Sequence, residues 1–116
     1  MDKKGVEKQM TQGKYNTSEK TQIRNKLDFI FNHFGQKNQV EKLKEECLEL
    51  IEQIDKLGDI TNTTYLPVEF LAEVVDVMVV SHQFYQNYNR ECNKLLDYKI
   101  NRTVDRIHND YYKRSK

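Results

Sequence analysis

Residues 38–57 read NQVEKLKEECLELIEQIDKL and decide the fold class. Apolar side chains recur in this stretch at alternating spacings of three and four residues, from Val40 to Leu57. Because an α-helix completes a turn in about 3.6 residues, this spacing places the apolar side chains on one face and leaves most charged ones on the other. The stretch therefore predicts an amphipathic helix, and Gly58 is suited to end it.

Apolar stripes predict three further helices, over residues 21–34, 67–85 and about 96–111. The third predicted helix contains VEFLAEVVDVMVVSHQFY, which is apolar almost all the way round, so we expect it to be the most buried element. Residues 58–66 read GDITNTTYL, and their Thr, Asn and Asp side chains favour a loop. The glycine at 35 can end the first helix, and the proline at 67 fits the first turn of the third.

The length and composition of the chain indicate a single all-α domain. A chain of 116 residues with 37% apolar content suffices for one compact core. One proline and four glycines favour helices over a sandwich of many short strands. Residues 1–20 have few apolar side chains and no periodicity, so we interpret them as a mobile arm. Residues 21–116 then form the helical domain.

Charge and cysteine content exclude several classes of protein. The 19 basic and 18 acidic side chains nearly cancel, which disfavours a nucleic-acid or anionic membrane surface as partner. No apolar run approaches the roughly 20 residues of a membrane span, and MDKKGVEKQM lacks the apolar segment of a secretory signal. Cys47 and Cys92 are far apart without CxxC spacing, which argues against a zinc site or a disulfide framework. We expect a cytoplasmic protein.

The strongest chemical signal is a pair of acidic motifs on adjacent predicted helices. Each helix contributes two carboxylates three residues apart, namely Glu46 and Glu49 on the second helix and Glu73 and Asp76 on the third. Side chains three residues apart lie side by side on a helix, so each pair can reach one cation. If the two helices pack antiparallel, four carboxylates meet at a shared point.

The surroundings of these acids favour a bound cation. Glu73 and Asp76 interrupt the apolar run FLAEVVDVMVV, where uncompensated carboxylates would lose hydration at a cost of several kcal/mol each. Ligand sets made only of oxygen favour Mg²⁺, Mn²⁺ or Ca²⁺ over Zn²⁺. The absence of a Glu-x-x-His pair argues against a di-iron centre. The alternatives are a solvated acidic helix face and a structural ion pair.

The motif pair Glu-Glu-x-x-Glu and Glu-x-x-Asp on successive helices resembles the MazG-like all-α nucleoside triphosphate pyrophosphohydrolases, which are related to the all-α dimeric dUTPases. The similarity covers about residues 23–108 and includes the flanking stretches FGQKNQVEKLKEECLELIEQI and KLLDYKINRTVDRI. It implies a bundle of four antiparallel helices that assembles as a homodimer or homotetramer. The metal ligands that it implies are Glu46, Glu49, Glu73 and Asp76.

The resemblance also implies a reaction. A nucleoside triphosphate would be hydrolysed between its α- and β-phosphates to the monophosphate and pyrophosphate, with Mg²⁺ or Mn²⁺ as cofactor. Glu45 would be a supporting or water-activating carboxylate. Such an enzyme removes noncanonical nucleotides or controls a nucleotide pool.

Three further residues are candidate substrate ligands. Lys99 and Arg102 share one side of the last predicted helix, where they can contact phosphate, and Gln39 can hydrogen-bond a base or ribose. Each also has a structural interpretation, as a cation near a helix C-terminus or as a solvated amide. Two alternative functions stay open, a selective dUTPase or dCTPase on the same fold and a non-enzymatic helical interaction module.

Overall fold

The described part of the chain is all-α, as predicted. The computed structural model describes residues 17–109, of which 86% are helical and none lies in a strand. The four helices are α1 (Thr17–Phe34), α2 (Gln36–Leu57), α3 (Val68–Asn87) and α4 (Asn89–His108). The N-terminal part of the predicted arm and the C-terminal end of the predicted fourth helix lie outside the described residues.

Glycine ends the first two helices at the predicted positions. Gly35 has a φ of +85° and separates α1 from α2. Its N–H donates to the Phe31 carbonyl at 2.8 Å, and its carbonyl accepts from the Gln39 N–H at 3.0 Å. Gly58 follows α2 with a φ of +62°. Residues with a Cβ rarely adopt such φ values, so glycine suits both positions.

Two helices begin earlier than the apolar pattern predicts. Helix α1 begins at Thr17 rather than near Thr21, and α4 begins at Asn89 rather than near the first apolar residue of its stripe. In α4 the first turn is polar, and it contains a hydrogen bond from the Asn93 amide to Asn89 Oδ1 at 3.0 Å. Polar turns of this kind carry no hydrophobic periodicity, which is why the sequence pattern missed them.

The chain divides into two compact units, the first ending at Gln83 and the second beginning at Phe84. In the first unit α1 packs against α2. Helices α2 and α3 run antiparallel, because Gln39 near the start of α2 bonds to Gln83 near the end of α3 while Glu46 lies close to Glu73 near the start of α3. This is the arrangement that the paired acidic motifs require. The second unit contains the last turn of α3, followed by α4.

Few large apolar side chains are buried. Among the described residues these are Leu27 and Phe31 on α1 and Val80 on α3. We expected α3 to be the most buried helix, yet Val75 is 53% exposed and Met78 58% exposed, because the described residues do not cover this face. Despite this exposed apolar surface, no described helix has the length and apolar character of a membrane span.

Candidate metal centre

Three of the predicted carboxylates converge in the first unit. Glu46 and Glu49 from α2 and Glu73 from α3 each offer one oxygen, and these oxygens all lie within 4.8 Å of one another. Mg²⁺ bonds of about 2.1 Å place two ligand oxygens at most roughly 4.2 Å apart, so small side-chain rotations suffice to bring all three onto one ion. An all-oxygen donor set of this kind suits a hard divalent cation.

Two oxygens of this cluster are buried without a hydrogen-bond partner. Glu46 is only 6% exposed. Its Oε2, and the Oε2 of Glu73, have no partner among the described residues. A buried carboxylate oxygen without a partner is costly, because it has lost its hydration and gained nothing in exchange. A cation would supply the missing interaction, so these residues fit the hard divalent ion that the motifs predict.

The electrostatics of the cluster also favour a cation. The negative charge of Glu46 is the main cause that raises the pKa of Glu49, and partial burial and the charge of Glu73 act in the same direction. The three carboxylates therefore repel one another when all are ionised. A divalent ion among them reverses this repulsion, since each carboxylate then faces a positive charge.

A lysine that the acidic motifs did not single out lies beside the cluster. Lys42 Nζ is 3.1 Å from Glu46 Oε1 and 3.6 Å from Glu45 Oε1. The hydrogen bond to Glu46 is the main cause that raises the pKa of Lys42, so its ammonium stays charged. Lys42 precedes Glu46 by four residues on α2, and that spacing is the sequence signal that could have identified the pair.

Two predicted site residues lie outside the cluster. Asp76 follows Glu73 on α3, is exposed, and does not belong to the group of three oxygens found among the described residues. Glu45 has a side chain that is 59% exposed and that pairs with Lys42. The roles of Asp76 as metal ligand and of Glu45 as supporting carboxylate stay predictions.

A buried pair of glutamines links the same two helices. Gln39 Nε2 donates to Gln83 Oε1 at 2.9 Å, and Gln83 Nε2 donates to the Val79 carbonyl at 3.2 Å. Gln39 is 4% exposed and Gln83 is 1% exposed. Gln83 carries no motif that marks it in the sequence, although it follows the buried Val80 by three residues on the same helical stripe. The prediction that Gln39 binds the nucleotide is not tested by this contact.

The predicted phosphate ligands belong to the second unit. Lys99 and Arg102 lie on α4 one turn apart, and both are exposed. In the same turn the Thr103 hydroxyl donates to the Lys99 carbonyl at 3.0 Å. Their contact with phosphate stays a prediction.

Comparison of the chain with known protein families, with curated proteins and with solved structures finds no match. The resemblance to the MazG-like enzymes therefore depends on the paired acidic motifs and their flanking stretches. Membership of that family is a proposal.

Proposed function

We propose that the protein is a Mg²⁺-dependent nucleoside triphosphate pyrophosphohydrolase of the MazG-like type. The observation that carries the proposal is the convergence of Glu46, Glu49 and Glu73, with two buried oxygens that have no hydrogen-bond partner among the described residues. Two antiparallel helices hold these carboxylates close together, although their mutual repulsion opposes that arrangement. A binding site for a hard cation explains the arrangement better than a solvated helix face, which would leave each carboxylate hydrated.

The proposed reaction is the addition of water to the α-phosphorus of a nucleoside triphosphate. The bond between the α-phosphorus and the bridging oxygen breaks, which releases pyrophosphate and leaves the monophosphate. When bound, Mg²⁺ would supply charge neutralisation and lower the pKa of water. Glu46, Glu49, Glu73 and Asp76 are the residues that would hold it. We propose for Glu45 the supporting or water-activating role that the resemblance implies; its carboxylate is 59% exposed, so water can reach it.

Substrate phosphates need positive charge from the protein as well. We propose Lys99 and Arg102 for this role, because both are exposed cations and an arginine can bind phosphate through two parallel hydrogen bonds. Mutation of a phosphate ligand raises KM when the contact is equally strong in ground and transition states. Lys99→Gln and Arg102→Gln are therefore expected to raise KM for the triphosphate more than they lower kcat.

We further propose that the active form is a homodimer or homotetramer. Several large apolar residues are half or more exposed on each of the four helices, for example Phe29 on α1, Val75 on α3 and Ile100 on α4. Apolar surface of this extent on one chain is typical of a subunit whose faces pack against other subunits.

Pyrophosphate release from a panel of nucleoside triphosphates in the presence of Mg²⁺ tests the proposed reaction. We expect turnover by the wild-type chain, and a loss of about 100-fold or more in Glu73→Gln, which keeps the shape but removes one ligand charge. Glu69→Gln is the matched control, because Glu69 is exposed one turn earlier on α3 and lies outside the cluster. Equal activity of the two variants would contradict the assignment of Glu73.

The same panel separates the alternative functions. Hydrolysis of one pyrimidine deoxynucleotide alone would favour a selective dUTPase or dCTPase. No hydrolysis of any nucleotide, together with an unchanged melting temperature in Mg²⁺, would favour a helical interaction module, which the exposed apolar faces also suit. For a true site, Mg²⁺ at about 100 times its Kd should stabilise the fold by roughly 2.7 kcal/mol, which raises the melting temperature by about 10 °C.

A further inference from the structure

Lys42 places a positive charge at the edge of a site that is proposed to bind another positive charge. Its ammonium is 3.1 Å from Oε1 of Glu46, while the other oxygen of the same carboxylate is buried and has no hydrogen-bond partner among the described residues. One carboxylate thus has two possible cationic partners. The proposed reaction assigns no role to Lys42.

Two physical effects of this lysine on a bound ion have opposite signs. By holding Glu46 in place, Lys42 would strengthen cation binding. By neutralising Glu46 and repelling a second cation, it would weaken cation binding. The first effect is small here, because Glu46 is held by burial and is 6% exposed, whereas the Lys42 side chain is 46% exposed. Ion pairs with such an exposed partner restrict side chains only weakly. Repulsion therefore dominates.

We propose that Lys42 is a built-in counter-ion that lowers the affinity of the free protein for a divalent cation at Glu46, Glu49 and Glu73. In the ion-free protein it offsets part of the repulsion among the three carboxylates. When a divalent ion binds, the Lys42 ammonium and the ion compete for the charge of Glu46. The inference depends on the proposed function for the existence of the cation site.

The test is a titration of the full-length protein with Mn²⁺ at low ionic strength, with free Mn²⁺ measured by electron paramagnetic resonance. Lys42→Met removes the charge but keeps an apolar stem of similar length, and Lys42→Arg keeps the charge. Lys44→Met is the matched control, since Lys44 is an exposed lysine on the same helix that forms no ion pair with the described carboxylates. Circular dichroism verifies that each variant is folded.

We expect Lys42→Met to lower the Kd for Mn²⁺ by about fivefold or more, the effect of removing one unit charge a few ångströms from the ion. The Kd values of Lys42→Arg and Lys44→Met should stay close to that of the wild type. The difference in Kd between Lys42→Met and the wild type should shrink at high salt. An unchanged Kd in Lys42→Met would overturn the inference, and so would a higher one, which would make Lys42 a positioning residue. Absence of Mn²⁺ binding by the wild type and by every variant would overturn the proposed cation site as well.

Discussion

Glu46 is the residue on which the chemistry of the site depends most. It is the one buried charged side chain in the described part of the chain, and it lies next to two other carboxylates, one from α2 and one from α3. Lys42 offsets the charge on one of its oxygens, while the other has no partner among the described residues. Such an arrangement is unfavourable for an ion-free fold and favourable for one that binds a cation.

The carboxylate of Glu49 couples this repulsion to pH. Its pKa is raised above the ordinary value of 4.5, so between that value and the raised one the folded chain holds more protons than the unfolded chain. The free energy of unfolding of the ion-free protein therefore falls as pH rises through this window. At pH values below the ordinary pKa this destabilising effect is absent, and at pH values above the raised pKa it is complete.

Glu49→Gln should therefore stabilise the ion-free protein at neutral pH while abolishing turnover. The gain in the free energy of unfolding, measured in urea with a chelator present, should be larger near pH 7 than near pH 4. Adding Mg²⁺ should stabilise the wild type but not the variant. Glu52→Gln changes an exposed carboxylate on the same helix and is the control. Its stability should match that of the wild type at both pH values, and Mg²⁺ should stabilise it as well. If Glu49→Gln and the wild type differ in free energy of unfolding by the same amount at every pH, the inferred repulsion between Glu49 and its neighbouring carboxylates is contradicted.

Asp76→Asn tests whether an exposed carboxylate completes the site. We expect turnover to fall about 100-fold or more while the melting temperature without Mg²⁺ stays unchanged, because the exposed side chain contributes little to packing. Asp55→Asn, on the exposed part of α2, provides the control. Near-normal turnover in Asp76→Asn would remove Asp76 from the site and leave the three converging glutamates as its ligands.

At the scale of the helices, the buried glutamine pair determines how α2 and α3 align. The hydrogen bond between Gln39 and Gln83 joins the start of one helix to the end of the other. A shift of one helix along the other would break this bond and separate Glu73 from the carboxylates of α2. Buried polar contacts of this kind favour one alignment over others.

Gln39→Ala should destabilise the fold by about 1–3 kcal/mol, because it removes the donor to Gln83 inside a buried site. Chemical denaturation measures this effect, and Gln53→Ala on the same helix is the control. The competing prediction, that Gln39 binds the base or ribose, requires a different result. A raised KM with unchanged stability would assign Gln39 to the nucleotide and contradict the structural role.

The helix pattern and the paired carboxylates could be predicted from the sequence, because both depend on local spacing along one helix. The polar first turns at Thr17 and Asn89 were missed, since they lack apolar periodicity. Which of the predicted carboxylates converge could not be predicted from spacing alone. Spacing places Glu73 and Asp76 near one face of α3, whereas the packing of α3 against α2 decides which of them reaches the cluster, and the structure brings Glu73 there. That Asp76 also binds the ion stays a prediction.

At the scale of the whole molecule, the main feature is the small amount of buried apolar surface. Three large apolar side chains are buried among the described residues, and more are exposed on all four helices. A core of this size is small for a stable domain of this length. The burial that we expected for α3 from the sequence therefore requires contacts that residues 17–109 do not provide.

The assembly prediction follows from this exposed surface. Sedimentation of the purified protein should give a mass at least twice the 13.9 kDa of one chain. Met78→Glu places a charge on the exposed apolar face of α3 and should dissociate the assembly or weaken it strongly. Asn62→Glu adds the same charge in the loop between α2 and α3 and should leave the mass unchanged. A monomeric wild type would contradict the prediction.

The most direct measurement of the site is a crystal structure of the protein grown with Mn²⁺, with anomalous diffraction recorded near the manganese absorption edge. An anomalous peak should lie among the carboxylates of Glu46, Glu49 and Glu73, and it should be absent from crystals of Glu46→Gln grown identically. Well-ordered carboxylates with no peak among them at saturating Mn²⁺, or a peak elsewhere that survives Glu46→Gln, would contradict the proposed metal centre.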